Sequence, residues 1–194
     1  MISYSVFFVS ADQKDAAAKV FAGGPRLPAK IDFAPDSDWA AVRYYPDATP
    51  PSDDVLWGRA SLTLEESKDL GEIFFLFSDR RPDSLVYEHA KDGVMLRKLV
   101  WFQLFDNDEA GWLCADGSPE PWETGLFLPH KLERTIEDER ERYSSNGEDE
   151  RFPTREAEIR KVWETHEIVP KSRVPSCDGS VALLVEQHFR LNRP

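Results

Sequence analysis

The residues with the most evident chemistry in this sequence are carboxylates set among large aromatic side chains. From Leu99 to His130 the chain contains no lysine or arginine, although it carries six acidic residues and six tryptophans or phenylalanines. A stretch without bases creates a negative potential that attracts a cationic partner, and exposed tryptophans add contact area at low entropic cost. We therefore predict a partner-binding surface that comprises Asp106, Asp108, Glu109, Trp112, Asp116, Glu120, Trp122 and Glu123.

The same residues also have a plainer interpretation, in which the acids occupy solvated turns and the aromatics belong to the core. Trp112, and after it Trp122, are the tryptophans that we most expect to be exposed. In the segment Gly117–Glu123 the prolines Pro119 and Pro121 favour a packed strand-to-helix corner over a binding loop. Both interpretations stay open at the level of sequence.

Three other acidic motifs match metal sites only in part. Asp106–Gly111 begins like a calcium loop, but Ala110 stands at a ligand position and Gly117 stands where the closing bidentate glutamate belongs. Asp36–Asp38 and the pair Asp53–Asp54 are explained more simply as turns or helix caps. We predict no metal site and no cofactor.

The sequence contains no catalytic motif that identifies a reaction. The four histidines have no metal-ligand spacing, and neither a nucleophile elbow nor a glycine-rich phosphate loop is present. Glu88 and His89 are adjacent on a predicted strand, where neighbouring side chains point to opposite faces. Cys114 and Cys177 are far apart, which is typical of free thiols in a reducing cytoplasm. We therefore expect a cytoplasmic protein that is not an enzyme.

The net charge limits the classes of partner. It is -12, and residues 1–130 carry 22 of the acids against 12 of the bases. Nucleic acids and anionic membranes repel such a surface, whereas a basic protein is attracted to it. With 31% charged and 12% aromatic residues, the composition also excludes a membrane protein and argues against full disorder.

The elements that must position these residues follow from hydrophobic periodicity. Alternating or continuous apolar runs predict strands at 2–9, 39–45, 72–78, 84–90, 94–105 and 112–115. The step Asp92–Gly93 is a strong hairpin signal. Helical spacing predicts helices at 12–21, 128–143, 154–167 and 181–189, and a capping box at Thr63 predicts a short helix that ends at Gly71.

This order of elements predicts an α+β fold. We expect an antiparallel β-meander sheet of about five or six strands, with helices packed on one face and a helical C-terminal third. The length of 194 residues suits a single domain over 1–194, in which 1–117 is mainly sheet with short helices and 118–194 is mainly helical.

In size, acidity, cytoplasmic character and sheet-plus-helix composition, the chain resembles bacterial immunity proteins of secreted and contact-dependent toxin systems. The hairpin at Lys91–Gly93, with the later Gly111–Trp112 and Pro119–Glu123, is also similar to a pattern in small bacterial proteins without an assigned chemistry. The resemblance implies a stoichiometric inhibitor that occludes the active site of a cognate toxin, and a negative surface would imitate the toxin's anionic substrate.

Two other classes of function remain open. A small hydrolase that uses carboxylates would need two or more acids with perturbed titration in one concave pocket. An anti-defence protein of the phage type that mimics DNA would need carboxylates at phosphate-like intervals along one face.

Overall fold

An antiparallel sheet of seven strands runs through the described part of the protein, in the order β2-β3-β1-β4-β5-β6-β7. The computed structural model describes residues 3–22, 30–33, 37–43, 52–79, 84–104, 109–177 and 180–191. The strands are β1 (Ser3–Ser10), β2 (Lys30–Phe33), β3 (Trp39–Arg43), β4 (Glu72–Asp79), β5 (Ser84–Lys91), β6 (Val94–Leu104) and β7 (Glu109–Gly117).

The predicted meander is confirmed, because β4 to β7 pair with one another in chain order. β1 continues the sheet on the other side of β4 and pairs also with β3. The α+β fold class is confirmed as well. The sheet has one strand more than we expected because the short β2, which has little periodicity of its own, pairs with β3 at the edge.

The larger helical layer covers the sheet face that holds Phe8, Tyr87 and Trp112. It consists of a 3-10 segment, Pro121–Leu126, and of the helices α4 (Pro129–Ser145), α5 (Phe152–Thr165) and α6 (Val181–Phe189). Apolar residues of the helices, such as Ile159 and Val185, are buried in one cluster with the sheet. The helical C-terminal third is therefore confirmed, within a few residues of the predicted boundaries.

A second, thinner layer lies on the opposite face of the sheet. The helices α1 (Lys14–Ala22), α2 (Asp53–Leu56) and α3 (Glu66–Leu70) contribute Ala17, Leu56 and Leu70 to a core cluster with Phe7 and Phe75. The prediction that the helices pack on one face of the sheet is therefore correct for the C-terminal helices but wrong for α1, α2 and α3, which lie on the other face. The reason is that β1 and β4 are apolar on both faces, so that each face must be covered.

Sequence signals for the ends of α3 were correct where no tertiary contact competes with them, and wrong where one does. Gly71 ends α3 with a φ of 74°, as the sequence predicts. The predicted capping box at Thr63 is wrong, because α3 begins at Glu66 and the Thr63 hydroxyl donates to Glu88 instead. Within the described ranges, no helix combines the length and apolar character that crossing a membrane requires.

Candidate functional site

The residues predicted to bind a partner are distributed between the surface and the interior. Asp106 and Asp108 lie outside the described residues, and Glu109 is the first residue of β7. Asp116 is exposed near the end of β7, where its side chain accepts a hydrogen bond from the Gly117 amide.

The expected exposure of Trp112 is wrong. Its side chain is 0% exposed, its ring lies edge-on to Trp101, and its indole N–H donates to the Pro175 carbonyl at 2.7 Å. The residues after α5 cover this edge of the sheet, since Lys171 and Ser172 exchange backbone hydrogen bonds with Trp112. The large apolar ring is therefore part of the core and is not available to a partner.

The expected exposure of Trp122 is wrong for a similar reason. Its ring is buried against Tyr87 and its indole N–H donates to Glu120 at 2.7 Å. The plainer interpretation made from the sequence, a packed corner between β7 and the helical layer, describes this segment. The corner includes a 3-10 turn because Glu120 and Glu123 cap its N-terminus reciprocally.

Glu123 is neutralised by a base from another strand. Its carboxylate receives two hydrogen bonds from the Arg97 guanidinium, at 2.8 and 2.7 Å, and each side chain is 3% exposed. Arg97 also donates to the Gly117 carbonyl at 2.9 Å. The stretch from Leu99 to His130 has no base of its own, but Arg97 stands just before it on β6, and the sheet brings the two charges together.

Glu120 is the centre of a second polar network. One of its oxygens accepts hydrogen bonds from the Tyr87 hydroxyl and the Trp122 indole, and the other lies 2.5 Å from Nδ1 of His89. Burial alone would raise the pKa of Glu120, but the hydrogen bonds from His89, Tyr87 and Trp122 hold it below its ordinary value. Glu120 therefore stays ionised in a largely buried position.

His89 joins Glu120 to a further carboxylate at the start of β4. Its Nε2 lies 3.0 Å from Glu72, whose other oxygen accepts a hydrogen bond from Lys91 at 2.9 Å. Burial would raise the pKa of Glu72, but its bonds with Lys91 and His89 lower it. The His89 ring is stacked on Phe74 at a centroid distance of 4.1 Å and touches Phe189 of α6.

This network ties the 3-10 segment to β4 and β5. Burial, followed by the nearby Glu120 carboxylate, raises the pKa of Tyr87, so that its hydroxyl stays protonated and donates. Because both ring nitrogens of His89 face carboxylates, neither is free to accept a proton from another molecule in this arrangement. The sequence indicated no part of the network, since its members come from three separate segments.

Glu88 lies on the opposite sheet face from His89, as the alternation of a strand predicts. It forms an ion pair with Lys98 at 2.9 Å and accepts hydrogen bonds from Ser61 and from Leu62 and Thr63. Glu88 is thereby the anchor of the linker between α2 and α3, and the two adjacent residues are not an acid–base pair.

One cysteine and one of the metal motifs can be followed in the described ranges, whereas Asp36, like Asp106 and Asp108, lies outside them. Burial raises the pKa of the half-buried Cys114 thiol, which keeps it protonated and unreactive. Asp53 and Asp54 lie in the first turn of α2, whose N-cap is Ser52, so the helix-cap interpretation of that motif places the cap one residue too late. In the ranges that the structure describes, no three His, Cys, Asp or Glu side chains are placed to hold a metal ion.

One end of the sheet carries exposed carboxylates. We call it the hairpin end; it is formed by the C-terminus of α3, the turn between β5 and β6 and the end of β7. Lys68 pairs there with Glu65 and Lys91 pairs with Glu72. Asp69, Asp92 and Asp116 are exposed and form no ion pair with another described residue. Beside them Val94 is 58% exposed.

In comparisons with known proteins, no family model, no curated protein and no solved structure matches this chain.

Proposed function

We propose that this protein is an acidic binding protein that neutralises a basic protein partner, as an immunity protein neutralises its toxin. In this proposal it occupies the partner's active site at one-to-one stoichiometry, and the contact surface is the hairpin end. Of the residues predicted from the sequence, Asp116 belongs to this surface, whereas Trp112, Trp122 and Glu123 are buried and take no part in it.

The observation that carries the proposal is where the excess of acidic residues lies. Two of the buried acids, Glu88 and Glu123, are matched by the buried bases Lys98 and Arg97. Each of these pairs is neutral, so they leave the net charge of -12 on the rest of the molecule. A surface with such an excess raises the rate of association with a cationic partner and disfavours anionic ones.

The hairpin end suits this role because three of its aspartates form no ion pair with another described residue, and because part of it is rigidly held. The Asp92 amide donates to the Gly71 carbonyl, and the Ser67 hydroxyl accepts the Gly93 amide at 2.9 Å, so that α3 is fixed to the hairpin. A rigid surface loses little conformational entropy on binding. The exposed Val94 supplies an apolar contact beside the turn that carries Asp92.

A toxin that acts on nucleic acids or nucleotides needs cationic side chains in its active site to hold phosphate groups. Aspartates held at fixed positions imitate those phosphates. Because the partner's cations and these carboxylates attract each other over a distance of about 10 Å at ordinary ionic strength, capture is fast and salt-dependent.

The test compares two triple variants of the tagged protein in pull-downs from the native host. Asp69→Asn, Asp92→Asn and Asp116→Asn together remove the charges of the hairpin end. Glu137→Gln, Glu141→Gln and Glu164→Gln remove the same number of exposed charges from α4 and α5. We expect the wild type and the second variant to recover one basic protein at equal stoichiometry, and the first variant to recover at least about tenfold less.

Co-expression completes the test. The recovered partner should stop the growth of a host cell when it is expressed alone, and should not do so together with the wild-type protein. Continued killing in the presence of the wild type, or equal losses of capture in both triple variants, would contradict the proposal.

A further inference from the structure

In the polar networks described above, His89 has a hydrogen-bond acceptor at each of its two ring nitrogens. Its Nδ1 lies 2.5 Å from Glu120 and its Nε2 lies 3.0 Å from Glu72. An ionised carboxylate only accepts hydrogen bonds, so each contact requires an N–H on the ring. A neutral imidazole has one N–H and one lone pair, and only the imidazolium satisfies both contacts.

We infer that His89 is a proton-controlled clasp between Glu72 and Glu120. As an imidazolium it binds both carboxylates. When it loses the Nε2 proton, it releases Glu72 and keeps its contact with Glu120. The proton passes from Nε2 to water on the side of Glu72. The Glu72 carboxylate then turns toward solvent, because its oxygen would otherwise face the Nε2 lone pair.

The choice between the two carboxylates follows from their other contacts. Glu120 is held by Tyr87 and Trp122, and its backbone is fixed by the reciprocal cap with Glu123. Its side chain is 11% exposed, against 30% for that of Glu72. Water can solvate a freed Glu72, whereas a freed Glu120 would stay buried without a donor from the ring.

The charges around the ring are consistent with this order of events. Glu72 comes from β4, Tyr87 and Lys91 from β5, Glu120 and Glu123 from the 3-10 segment, and Arg97 lies across from His89 on β6. α6 touches the ring through Phe189, and the titratable residues of this helix are Glu186 and His188. The Arg97 guanidinium pairs with Glu123, and the hydrogen bonds of the ring nitrogens are those with Glu72 and Glu120.

The consequence lies at the hairpin end. Opening of the clasp frees Glu72 and its partner Lys91, while the 3-10 segment stays docked through Glu120. The hairpin end therefore becomes more negative by one unit when His89 loses its proton. This property belongs to the chain itself and does not depend on whether the hairpin end binds a partner.

The test is a two-bond ¹H–¹⁵N correlation spectrum of the full-length protein, labelled at histidine, from about pH 5 to about pH 9. A variant with His130→Gln, His166→Gln and His188→Gln removes the three exposed histidines and assigns the remaining signals to His89. We expect both ring nitrogens to be protonated at the acid end, and the uncommon tautomer with the proton on Nδ1 at the alkaline end. A proton retained on Nε2 instead, or an unprotonated nitrogen at every pH, overturns the inference.

Two further variants separate the clasp from a general charge effect. Glu72→Gln can donate an amide hydrogen to the bare Nε2, so it should shift the loss of that proton to lower pH without changing the tautomer. Glu65→Gln removes a neighbouring exposed carboxylate that pairs with Lys68 and does not touch His89. It should leave the transition in place, and an equal shift in both variants contradicts a role for the direct contact.

Discussion

At the scale of single residues, the interior is organised by charges that come from distant parts of the sequence. Arg97 and Glu123 are 26 positions apart and meet with each side chain 3% exposed. A buried pair of this kind is not in itself a large source of stability, because both ions lose their hydration. Removal of one partner is costly, since the other ion remains buried and unpaired.

We therefore expect Arg97→Met to lower the free energy of unfolding by about 3–5 kcal/mol, measured by urea denaturation at neutral pH. The exposed Arg160, which pairs with Glu156, is the matched control: Arg160→Met should leave the free energy of unfolding almost unchanged. In a double-mutant cycle with Glu123→Met, the combined loss should be smaller than the sum of the single losses by about 1–3 kcal/mol. Strict additivity would show that the two charges are not coupled.

This pair also explains why the acidic stretch looked uncompensated in the sequence alone. The absence of bases between Leu99 and His130 is real, but a sheet places the neighbours of Glu120 and Glu123 on β5 and β6. Their partners, His89 and Arg97, therefore stand just before the stretch. A contiguous stretch of sequence cannot reveal pairs that form across strands.

At the scale of elements, the sequence predicted what depends on local chemistry. Asp92–Gly93 predicted the hairpin between β5 and β6, and helical spacing predicted α4, α5 and α6. The 3-10 segment was missed because Pro119 and Pro121 indicate extended backbone, although proline is also favourable at the first position of a helical turn. Of the helices in the second layer, α1 and α3 were predicted, whereas α2 has only four residues and shows no period. That these helices cover the opposite face of the sheet was not predicted, because no local pattern tells which face a short helix packs against.

Gly117, the last residue of β7, has no room for a side chain, whereas Gly147, which has a similar backbone conformation, has open space around it. Its φ is 83°, and an added Cβ would lie 2.1 Å from the Leu96 carbonyl oxygen, whereas at Gly147, with a φ of 70°, it would meet nothing within 4 Å. Gly147→Ala should cost about 1–2 kcal/mol from backbone strain alone. Gly117→Ala adds overlap with a fixed carbonyl, and we expect about 3–5 kcal/mol.

Thermal and urea unfolding of the two alanine variants measure this difference. Because both glycines have left-handed backbone, the strain that they share cancels in the comparison. Equal losses in the two variants would mean that β6 moves away from Gly117 without cost. Such movement would be surprising, since Arg97 donates to the Gly117 carbonyl from the same strand.

At the scale of the whole molecule, composition determined the sign and size of the charge but not its position. A net charge of -12 repels anionic surfaces whatever the fold. Where the unpaired carboxylates lie depends on which acids find a base in the folded chain, and Asp69, Asp92 and Asp116 are separated by too many residues for a local pattern to group them. The hairpin end is therefore a surface that only the sheet topology assembles.

The same charge has a second effect that is independent of position. A net charge of this size destabilises the compact state by self-repulsion, and salt screens it: from about 0.01 M to about 0.15 M, the Debye length falls from about 30 Å to about 8 Å. We expect the Tm to rise by a few degrees over this range of sodium chloride, measured by circular dichroism. A falling Tm would mean that screened ion pairs, such as those between α4 and α5, outweigh the repulsion.

The two triple variants distinguish the two effects of charge. Each removes three negative charges, so both should reduce the dependence of Tm on salt to a similar extent, because long-range repulsion depends mainly on the total. Capture of a basic partner depends in addition on which carboxylates the partner contacts, so the large loss of capture should occur only in the variant of the hairpin end. If only the variant of the hairpin end reduced the dependence of Tm on salt, the three aspartates would be a local source of instability. In that case their position would not be evidence for a partner.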